Sequence, residues 1–288
     1  MNAILHEFRV GLLDEEVGTG PIIGIYHRIV DQTDLSTIWQ INGKTAQGGQ
    51  TTLAYFQANV HVDRKADATP VTEADLGAER LMRKLIAERF PDHAVLGEEF
   101  GQEDRDSTHR WILDPIDGTH SFVQGVPVFG VLVALEIRGD MVLGVAHFPA
   151  LGETVAAGAG EGCQWSGRRA HVSRVHDLQQ AMLVYSDPGA TPAQGEKGLM
   201  ALRRATRLQR AWGDCYGHCL VATGRADVML DCVVSPWDCA ALLPILREAG
   251  GSFTDWAGQE TISGGNAVST NGVLREAVLG LLSGEGTA

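Results

Sequence analysis

The sequence predicts a layered fold in which an α+β half precedes an α/β half. Between Val126 and Ala157, three apolar runs are separated by short, glycine-containing turns, which is typical of an antiparallel meander. From Met182 onward, strand-like and helix-like patterns alternate, which is typical of an α/β arrangement. The 288 residues suffice for one large or two closely packed domains. We expect an N-terminal segment at 1–50, an α+β domain at 51–175 and an α/β domain at 176–288.

The charge balance and the cysteines limit the possible partners and ligands. The chain has 23 Lys and Arg against 36 Asp and Glu, which argues against binding to nucleic acid or to an anionic membrane surface. No apolar run reaches the roughly 20 residues that a membrane-spanning helix needs, and the acidic N-terminus lacks the form of a signal peptide. Five cysteines without an export signal or a C-x-x-C pair indicate buried, reduced thiols rather than a zinc site. We therefore expect a cytoplasmic protein.

The first 50 residues predict no secondary structure. Glycines and polar residues interrupt every apolar period, among them Gly43, Gly48 and Gly49. We expect this segment to be an extension or a poorly matched part of the chain.

The first well-defined helix begins after Thr72. Thr72 followed by Asp75 resembles a capping box, with Asp in place of Glu or Gln. The helical period places one set of residues on a buried face: Leu81, Met82, Leu85 and Ile86. It places a second set toward solvent: Arg80, Arg83, Lys84 and Glu88. Pro91 ends the helix.

Two acidic motifs follow predicted strands. Ala94–Leu96 indicates a short strand that leads into Gly97-Glu98-Glu99, which by itself is most simply a solvated turn. Trp111–Leu113 indicates the end of a buried strand, and Asp114-Pro115-Ile116-Asp117-Gly118-Thr119 then predicts a turn pinned by Pro115. Two carboxylates and a carbonyl within four residues suit a hard cation such as Mg²⁺, and the amides after them suit a phosphate. The simpler alternative is a strand and turn capped by aspartate.

The α/β half contains a third acidic position. Its predicted elements are strands at Met182–Ser186 and Ala226–Leu230 and helices at Lys197–Arg207 and Asp214–Gly224. Ser235, Pro236 and Asp238 suit the N-cap, N1 and N3 positions of a last long helix. Pro244 should kink that helix. A helix cap alone explains Asp238.

Together these motifs resemble those of the inositol monophosphatase-like family of Mg²⁺-dependent phosphatases. Asp114–Thr119 matches the family signature D-P-[IL]-D-G-T. The other family motifs occur in the expected order at Val71–Asp75, Gly97–Glu99 and Pro236–Asp238, and the resemblance covers residues 51–275. It implies the layered αβαβα fold of the family, hydrolysis of a small-molecule phosphate monoester, and a homodimer.

The resemblance also implies a role for each motif residue. Two or three Mg²⁺ ions would be held by Glu98, Asp114, the Ile116 carbonyl, Asp117 and Asp238. Thr119 and Glu98 would orient the attacking water, and the amides of Gly118 and Thr119 would hold the phosphate. Asp75 would lie near the metal ions. No residue matches a covalent nucleophile, so direct attack by water is expected.

The α/β half is similar to the histidinol-phosphate phosphatase branch of that family. Gly213-Asp214-Cys215-Tyr216 stands where inositol monophosphatases have Gly-Ser-Ala, and Asp231 stands where they have Glu. Asp117–Phe122 is also similar to that branch, except that His120 replaces its usual Lys. Asp214 and Asp231 would bind the protonated amine of histidinol phosphate, although a plain N-cap explains Asp214 equally well. His120 would either stack on the substrate ring or be merely exposed, and we expect the second.

The resulting expectation is a Mg²⁺-dependent histidinol-phosphatase of histidine biosynthesis, which converts L-histidinol phosphate and water into L-histidinol and phosphate. Alternatives within the same class are an inositol-1-monophosphatase, a sugar-phosphate phosphatase of relaxed specificity and a nucleotide 3′-phosphatase. An alternative of another class is a non-catalytic, metal-binding regulator with the same fold. The intact acidic motifs argue against a regulator.

Overall fold

Two large β-sheets with helices on their faces make up the fold. The structure is a computed structural model that describes residues 45–58, 62–64, 70–103, 105–187 and 193–284. The expectation for residues 1–44 lies outside these described residues. A short hairpin-like sheet of β1 (Val62–Arg64) and β2 (Pro70–Thr72) precedes the two large sheets.

The larger sheet carries the first acidic motifs. Its strands are β3 (Ala94–Gly97), β4 (Gly101–Glu103), β5 (His109–Asp117), β6 (Gly130–Ile137), β7 (Asp140–Phe148), β8 (Glu153–Gly158), β9 (Gly162–Trp165) and β10 (Arg168–Ala170). Their order is β10-β9-β8-β7-β6-β5-β3-β4. Strands β6, β7 and β8 pair antiparallel in chain order, which confirms the predicted meander. Strands β3 and β5 are parallel, so both acidic motifs emerge at the same edge of the sheet.

The end of β5 is irregular where the second acidic motif lies. Asp114 pairs with Leu132 of β6 and Asp117 pairs with Gly130, so β5 has one extra residue between these pairs. The predicted turn at Pro115 is therefore wrong, and the segment is a bulged strand end. In a regular strand, residues three apart point to opposite faces. The extra residue lets Asp114 and Asp117 point to the same side.

The smaller sheet is mixed. Its strands are β11 (Met182–Tyr185), β12 (Leu208–Arg210), β13 (Val228–Asp231), β14 (Ser252–Thr254) and β15 (Ala267–Thr270). Their order is β12-β11-β13-β15-β14. Strands β11, β12 and β13 are parallel, which confirms the expected α/β arrangement for this part. Strands β14 and β15 pair antiparallel and were not predicted, because each is only three or four residues long.

The helices lie on both sides of the sheets and between them. They are α1 (45–53), α2 (Glu73–Arg89), α3 (Thr119–Val123), α4 (Ala193–Ala205), α5 (Asp214–Ala222), α6 (Pro236–Ala240), α7 (Leu242–Glu248) and α8 (Arg275–Ser283). Helix α2 packs on β5, whereas α7 contacts both β7 of the larger sheet and β14 of the smaller one, with α5 beside it. Helices α4 and α8 pack on each other and share an apolar core with β11 and β13. This order of layers confirms the predicted αβαβα fold.

The prediction that residues 1–50 lack secondary structure is wrong for the end of this segment, because residues 45–53 are helical. Gly48 and Gly49 lie inside this helix rather than ending it. A Cβ on Gly49 would lie only 2.6 Å from the His147 ring, so glycine at this position permits the helix to pack closely on the sheet.

Helix α2 has the predicted capping box and ends before Pro91 as expected. Arg83, however, does not face solvent. Its side chain is 15% exposed, and its Nε lies 2.8 Å from Oε1 of Glu79, which is fully buried. Arg83 turns toward Glu79 rather than toward solvent because a buried carboxylate needs a partner, and the two residues are one helical turn apart.

The helix predicted from Ser235 is interrupted and is not the last one. It divides at Ala241 into α6 and α7, three residues before Pro244, whose ring and missing N–H disfavour a continuous helix. The kink is thus confirmed, and α8 follows after two more strands. The predicted helices at 197–207 and 214–224 end two residues earlier than expected.

The thiols and the apolar segments agree with the sequence. All five cysteines are buried and free. Within the described ranges, no helix is both long enough and apolar enough to cross a membrane.

Candidate active site

Three carboxylates converge at the bulge of β5. One oxygen each of Asp114, Asp117 and Asp238 lies within 4.8 Å of the others, and in the described part of the chain this is the one such group of His, Cys, Asp or Glu side chains. Asp114 is buried, and the other two are half-buried. We call these three residues the acidic cluster. The structure therefore brings together three of the predicted metal ligands.

Backbone N–H groups orient the two carboxylates from β5. Ile116 N–H donates a hydrogen bond to Asp114 Oδ1 at 3.0 Å, within the bulge itself. Cys215 N–H, in the first turn of α5, donates to Asp117 Oδ2 at 2.5 Å. The acidic cluster is therefore tied to the start of a helix that is distant in sequence.

Asp238 reaches the cluster from helix α6. Ser235 N–H donates to Asp238 Oδ2 at 2.7 Å, which forms a capping box, and Ser235, Pro236 and Asp238 occupy the predicted N-cap, N1 and N3 positions. Helix α6 packs on β5. The cap thus fixes the side chain, and the packing of α6 places it beside the bulge.

The acidic cluster concentrates negative charge. Burial raises the pKa of Asp114 well above its usual range, and the charges of Glu98 and Asp117 raise it further. Burial, together with the charge of Asp214, also raises the pKa of Asp117, and burial raises that of Asp238 to about 7. A divalent cation would offset this repulsion, and a set of oxygen donors suits a hard cation. The residues present therefore fit a metal site of the Mg²⁺ type.

Asp75 lies close enough to Glu98 to be affected by its charge. Asp75 Oδ2 accepts hydrogen bonds from the Thr72 N–H at 2.8 Å and from the Thr72 hydroxyl at 2.6 Å. Its Oδ1 is buried and has no hydrogen-bond partner among the described residues. Burial raises the pKa of Asp75 to about 6, to which the charge of Glu98 contributes. A buried oxygen without a partner is costly, which indicates that a water molecule or an ion completes this position.

The loop that presents Glu98 is held by a residue that the sequence patterns did not single out. Glu79 Oε2 accepts a hydrogen bond from Glu99 N–H at 2.8 Å, and Glu79 Oε1 pairs with Arg83. A Cβ on Gly97 would lie 2.0 Å from Glu79 Oε1, so glycine is required for this contact. Glu79 lies three residues before Met82 on the buried face of α2. A charged residue on a face that is otherwise apolar is the sequence signal that could have identified Glu79.

The segment after Asp117 starts helix α3, as predicted. Gly118 is the N-cap, and its φ of +82° favours glycine. Thr119 is the first helical residue, and its hydroxyl donates to the Ile116 carbonyl at 2.9 Å. His120 is exposed, as expected.

Asp214 approaches the same segment from helix α5. A Cβ on Gly118 would lie 3.0 Å from Asp214 Oδ2. The N-cap of α5 is Gly213, and Asp214 is the first helical residue with a φ of +55°, so the alternative that Asp214 is a plain N-cap is wrong. Its carboxylate accepts no hydrogen bond from the described residues, and burial together with the charge of Asp231 raises its pKa to about 7.

Asp231 is the last residue of β13, and other side chains occupy both of its oxygens. The Ser186 hydroxyl donates to Asp231 Oδ1, and His218 Nε2 lies 3.2 Å from Asp231 Oδ2. Asp231 is 7% exposed. The two predicted substrate-binding carboxylates therefore differ, since Asp231 has hydrogen-bond partners within the protein and the Asp214 carboxylate has none among the described residues.

Comparison with known proteins agrees with this arrangement. The family model described as the inositol monophosphatase family matches residues 34–285. The chain belongs to the inositol monophosphatase family. Residues 34–50, which were expected to lie outside the family pattern, are within the match. Membership confirms the predicted phosphoric monoester hydrolase. Members of this family depend on metal ions, and the acidic cluster is a group of oxygen donors of the kind that such ions need.

Individual relatives agree with the predicted branch. A histidinol-phosphatase of Chlorobaculum parvum is 43% identical over 249 residues, which cover 83% of this chain and 94% of that protein. A histidinol-phosphatase of Mycobacterium tuberculosis is 40% identical over 236 residues, covering 80% of this chain and 90% of that protein. The crystal structure of the extragenic suppressor protein suhB from Bartonella henselae matches with a TM-score of 0.79 at 28% identity, covering 84% of this chain and 96% of that chain.

Proposed function

We propose that the chain is a Mg²⁺-dependent histidinol-phosphatase that hydrolyses L-histidinol phosphate to L-histidinol and phosphate. The observation that carries this proposal is the Asp214 carboxylate, which lies beside Gly118 without a hydrogen bond from the described residues. A carboxylate next to a phosphate site repels most phosphate esters. Histidinol phosphate carries a protonated amine close to its phosphate, and a charge-assisted hydrogen bond to Asp214 would reverse that repulsion. The names of relatives at 43% and 40% identity support the same substrate.

For the metal site, we assign two or three Mg²⁺ ions to one set of ligands: Glu98, Asp114, the Ile116 carbonyl, Asp117 and Asp238. When bound, these ions neutralise the phosphoryl oxygens and lower the pKa of a water molecule. Asp75 supports the site through its unpartnered Oδ1.

The protein groups then position the water and the phosphate. Thr119 uses its hydroxyl proton in the bond to the Ile116 carbonyl, so its oxygen offers lone pairs to a water molecule. Glu98 accepts the second proton of the same water, and the two residues orient its oxygen toward phosphorus. The amides of Gly118 and Thr119 hold the phosphate oxygens. The water oxygen bonds to phosphorus as the bond to the ester oxygen breaks, without a covalent enzyme intermediate. The proton that the water gives up to Glu98 is balanced by one that the ester oxygen takes up from solvent as it leaves as the alcohol of L-histidinol.

The test is phosphate release from L-histidinol phosphate and from inositol 1-phosphate, each with and without Mg²⁺. We expect turnover that depends on Mg²⁺ and a kcat/KM at least about tenfold higher for histidinol phosphate, since a site built for a charged group discriminates strongly against a ligand without it. Comparable or reversed values would instead support the inositol-1-monophosphatase or the broad sugar-phosphate phosphatase. Asp214→Asn keeps the size of the side chain, and it should reduce the preference for histidinol phosphate.

Three expectations from the sequence stay predictions. They are the homodimer, the cytoplasmic location, and the division into domains at 51–175 and 176–288. Light scattering of the purified protein tests the first, and limited proteolysis near residue 175 tests the third.

A further inference from the structure

We infer that Asp231, Ser186 and His218 form a positioning network that holds Asp214 in place for the substrate amine, and that Asp231 is not itself an amine ligand. This inference rests on the proposed function, because it concerns how the histidinol-phosphate site is built. It assigns roles to two residues, Ser186 and His218, that the sequence motifs do not contain.

The hydrogen bonds of this network converge on the Asp231 carboxylate. Asp214 N–H donates to Ser186 Oγ at 3.2 Å, and the Ser186 hydroxyl donates to Asp231 Oδ1. A carboxylate only accepts, so the proton between His218 and Asp231 Oδ2 belongs to His218 Nε2, at 3.2 Å. His218 Nδ1 lies 2.6 Å from the Ser269 hydroxyl, within hydrogen-bond distance. Asp231 is thus the shared acceptor of the network, with Ser186 at one oxygen and His218 at the other.

The backbone of Asp214 needs such support. Its φ of +55° is a left-handed conformation that non-glycine residues seldom adopt, and such conformations persist where surrounding structure holds them. The hydrogen bond from Asp214 N–H to Ser186 Oγ is one contact that holds it. Gly213 makes the approach possible, because a Cβ there would lie 2.5 Å from the Ser186 Cα.

The network joins the ends of two strands to the helix that faces the phosphate segment. Ser186 directly follows β11, Asp231 ends β13, and His218 lies one turn after Asp214 on α5. Cys215, the next residue after Asp214, donates its N–H to Asp117 Oδ2 at 2.5 Å. The first turn of α5 is thus held from both sides, which fixes the backbone from which the Asp214 side chain extends relative to the acidic cluster.

A double-mutant cycle separates positioning from direct contact. The full-length enzyme with Mg²⁺ is compared as wild type, Ser186→Ala, Asp214→Asn and the double variant, on L-histidinol phosphate and on inositol 1-phosphate. Ser186→Ala leaves the Asp231 charge in place but breaks its link to Asp214. We expect Ser186→Ala to lower the ratio of the two kcat/KM values about tenfold, mainly through KM for histidinol phosphate. In the Asp214→Asn background, the same change should lower the ratio less than about twofold.

Two results would overturn the inference. One is a Ser186→Ala enzyme whose substrate ratio stays within about twofold of wild type, since Asp231 would then act without Ser186. The other is a pair of losses that multiply in the double variant, since Ser186 or Asp231 would then contact the substrate independently.

Two further comparisons guard against a loss of folding. Ser173→Ala is the matched control, because Ser173 donates to Asp227, which lies before β13, whereas Asp231 ends that strand. Ser173→Ala should lower the thermal midpoint without changing the substrate ratio. At His218, Gln retains a donor for Asp231 and Leu does not. His218→Leu should therefore lower the ratio of the two kcat/KM values, whereas His218→Gln should leave this ratio close to that of wild type. Equal ratios for these two variants would contradict the network.

The wild-type enzyme distinguishes this inference from the proposed function. If wild type shows no preference for histidinol phosphate, the proposed function fails before any variant is made, and the inference fails with it. If wild type shows the preference but Ser186→Ala retains it, only the inference fails.

Discussion

The acidic cluster and the Asp214–Asp231 pair are both acidic, but they are held in different ways. Each carboxylate of the cluster accepts a backbone N–H: Asp114 from Ile116, Asp117 from Cys215 and Asp238 from Ser235. In the pair, Asp231 accepts two side-chain hydrogen bonds, and the Asp214 carboxylate accepts none from the described residues. Backbone donors persist under substitution, whereas side-chain donors do not. The catalytic part of such a site can therefore stay constant while its substrate preference changes.

The largest expected effect is on the cluster itself. Asp117→Asn should abolish Mg²⁺-dependent phosphate release from both substrates, by about a thousandfold or more, because it removes the charge of a proposed metal ligand. Circular dichroism should show that the protein stays folded. Asp140→Asn, at an exposed position at the start of β7, is the matched control and should keep full activity. Retained turnover in the Asp117 variant would remove Asp117 from the metal site.

A smaller effect is expected where the cluster depends on a supporting residue. Glu79→Gln should weaken the hold on the loop that presents Glu98 and raise the Mg²⁺ concentration for half-maximal activity by about tenfold, as is typical for residues that orient metal ligands. The effect should be equal for the two substrates, unlike that of Ser186→Ala. Glu88→Gln, on the exposed face of the same helix, is the control. An unchanged Mg²⁺ dependence would show that Glu79 acts only on stability.

The pH dependence of stability reports on three aspartates whose pKa values are raised in the folded state. The folded pKa values of Asp75, Asp214 and Asp238 are raised to about 6, 7 and 7 from a usual value of 3.8. Between about pH 4 and 7, the metal-free folded state thus binds more protons than the unfolded state, and its stability falls as pH rises. Saturating Mg²⁺ should reverse this trend, since it binds the deprotonated carboxylates. Thermal melts with EDTA and with Mg²⁺ test this, and parallel pH profiles would contradict it.

The smallest effect is expected at the residue that joins the two regions. Cys215 connects to Asp117 through its backbone N–H, which any side chain except proline retains. Cys215→Ala should therefore change kcat/KM for either substrate by less than about threefold, because the backbone bond persists. A large, equal loss on both substrates would instead show that the thiol supports Asp117.

Local motifs allowed much of the site to be predicted. The capping boxes at Thr72 and Ser235 determine where two helices start, and each involves residues only three apart in sequence. They therefore orient Asp75 and Asp238 independently of the tertiary fold. The acidic motif at the end of β5 contains two of the cluster residues within four positions. Sequence likewise determined the meander, the buried cysteines and the family. These features depend on the periodicity of apolar residues and on hydrogen bonds between residues close in sequence, and both can be inferred from the sequence alone.

Only the tertiary structure decided how distant residues meet. The bulge of β5 depends on pairing with Gly130 and Leu132, and the burial of Glu79 depends on the loop that folds over α2. The contrast between Asp214 and Asp231 arises from Ser186 and His218, which lie 45 and 13 residues from Asp231 in the chain. A carboxylate has the same chemistry in either role. Whether it binds a ligand or supports a neighbour depends on which donors surround it, and those donors are assembled only by folding.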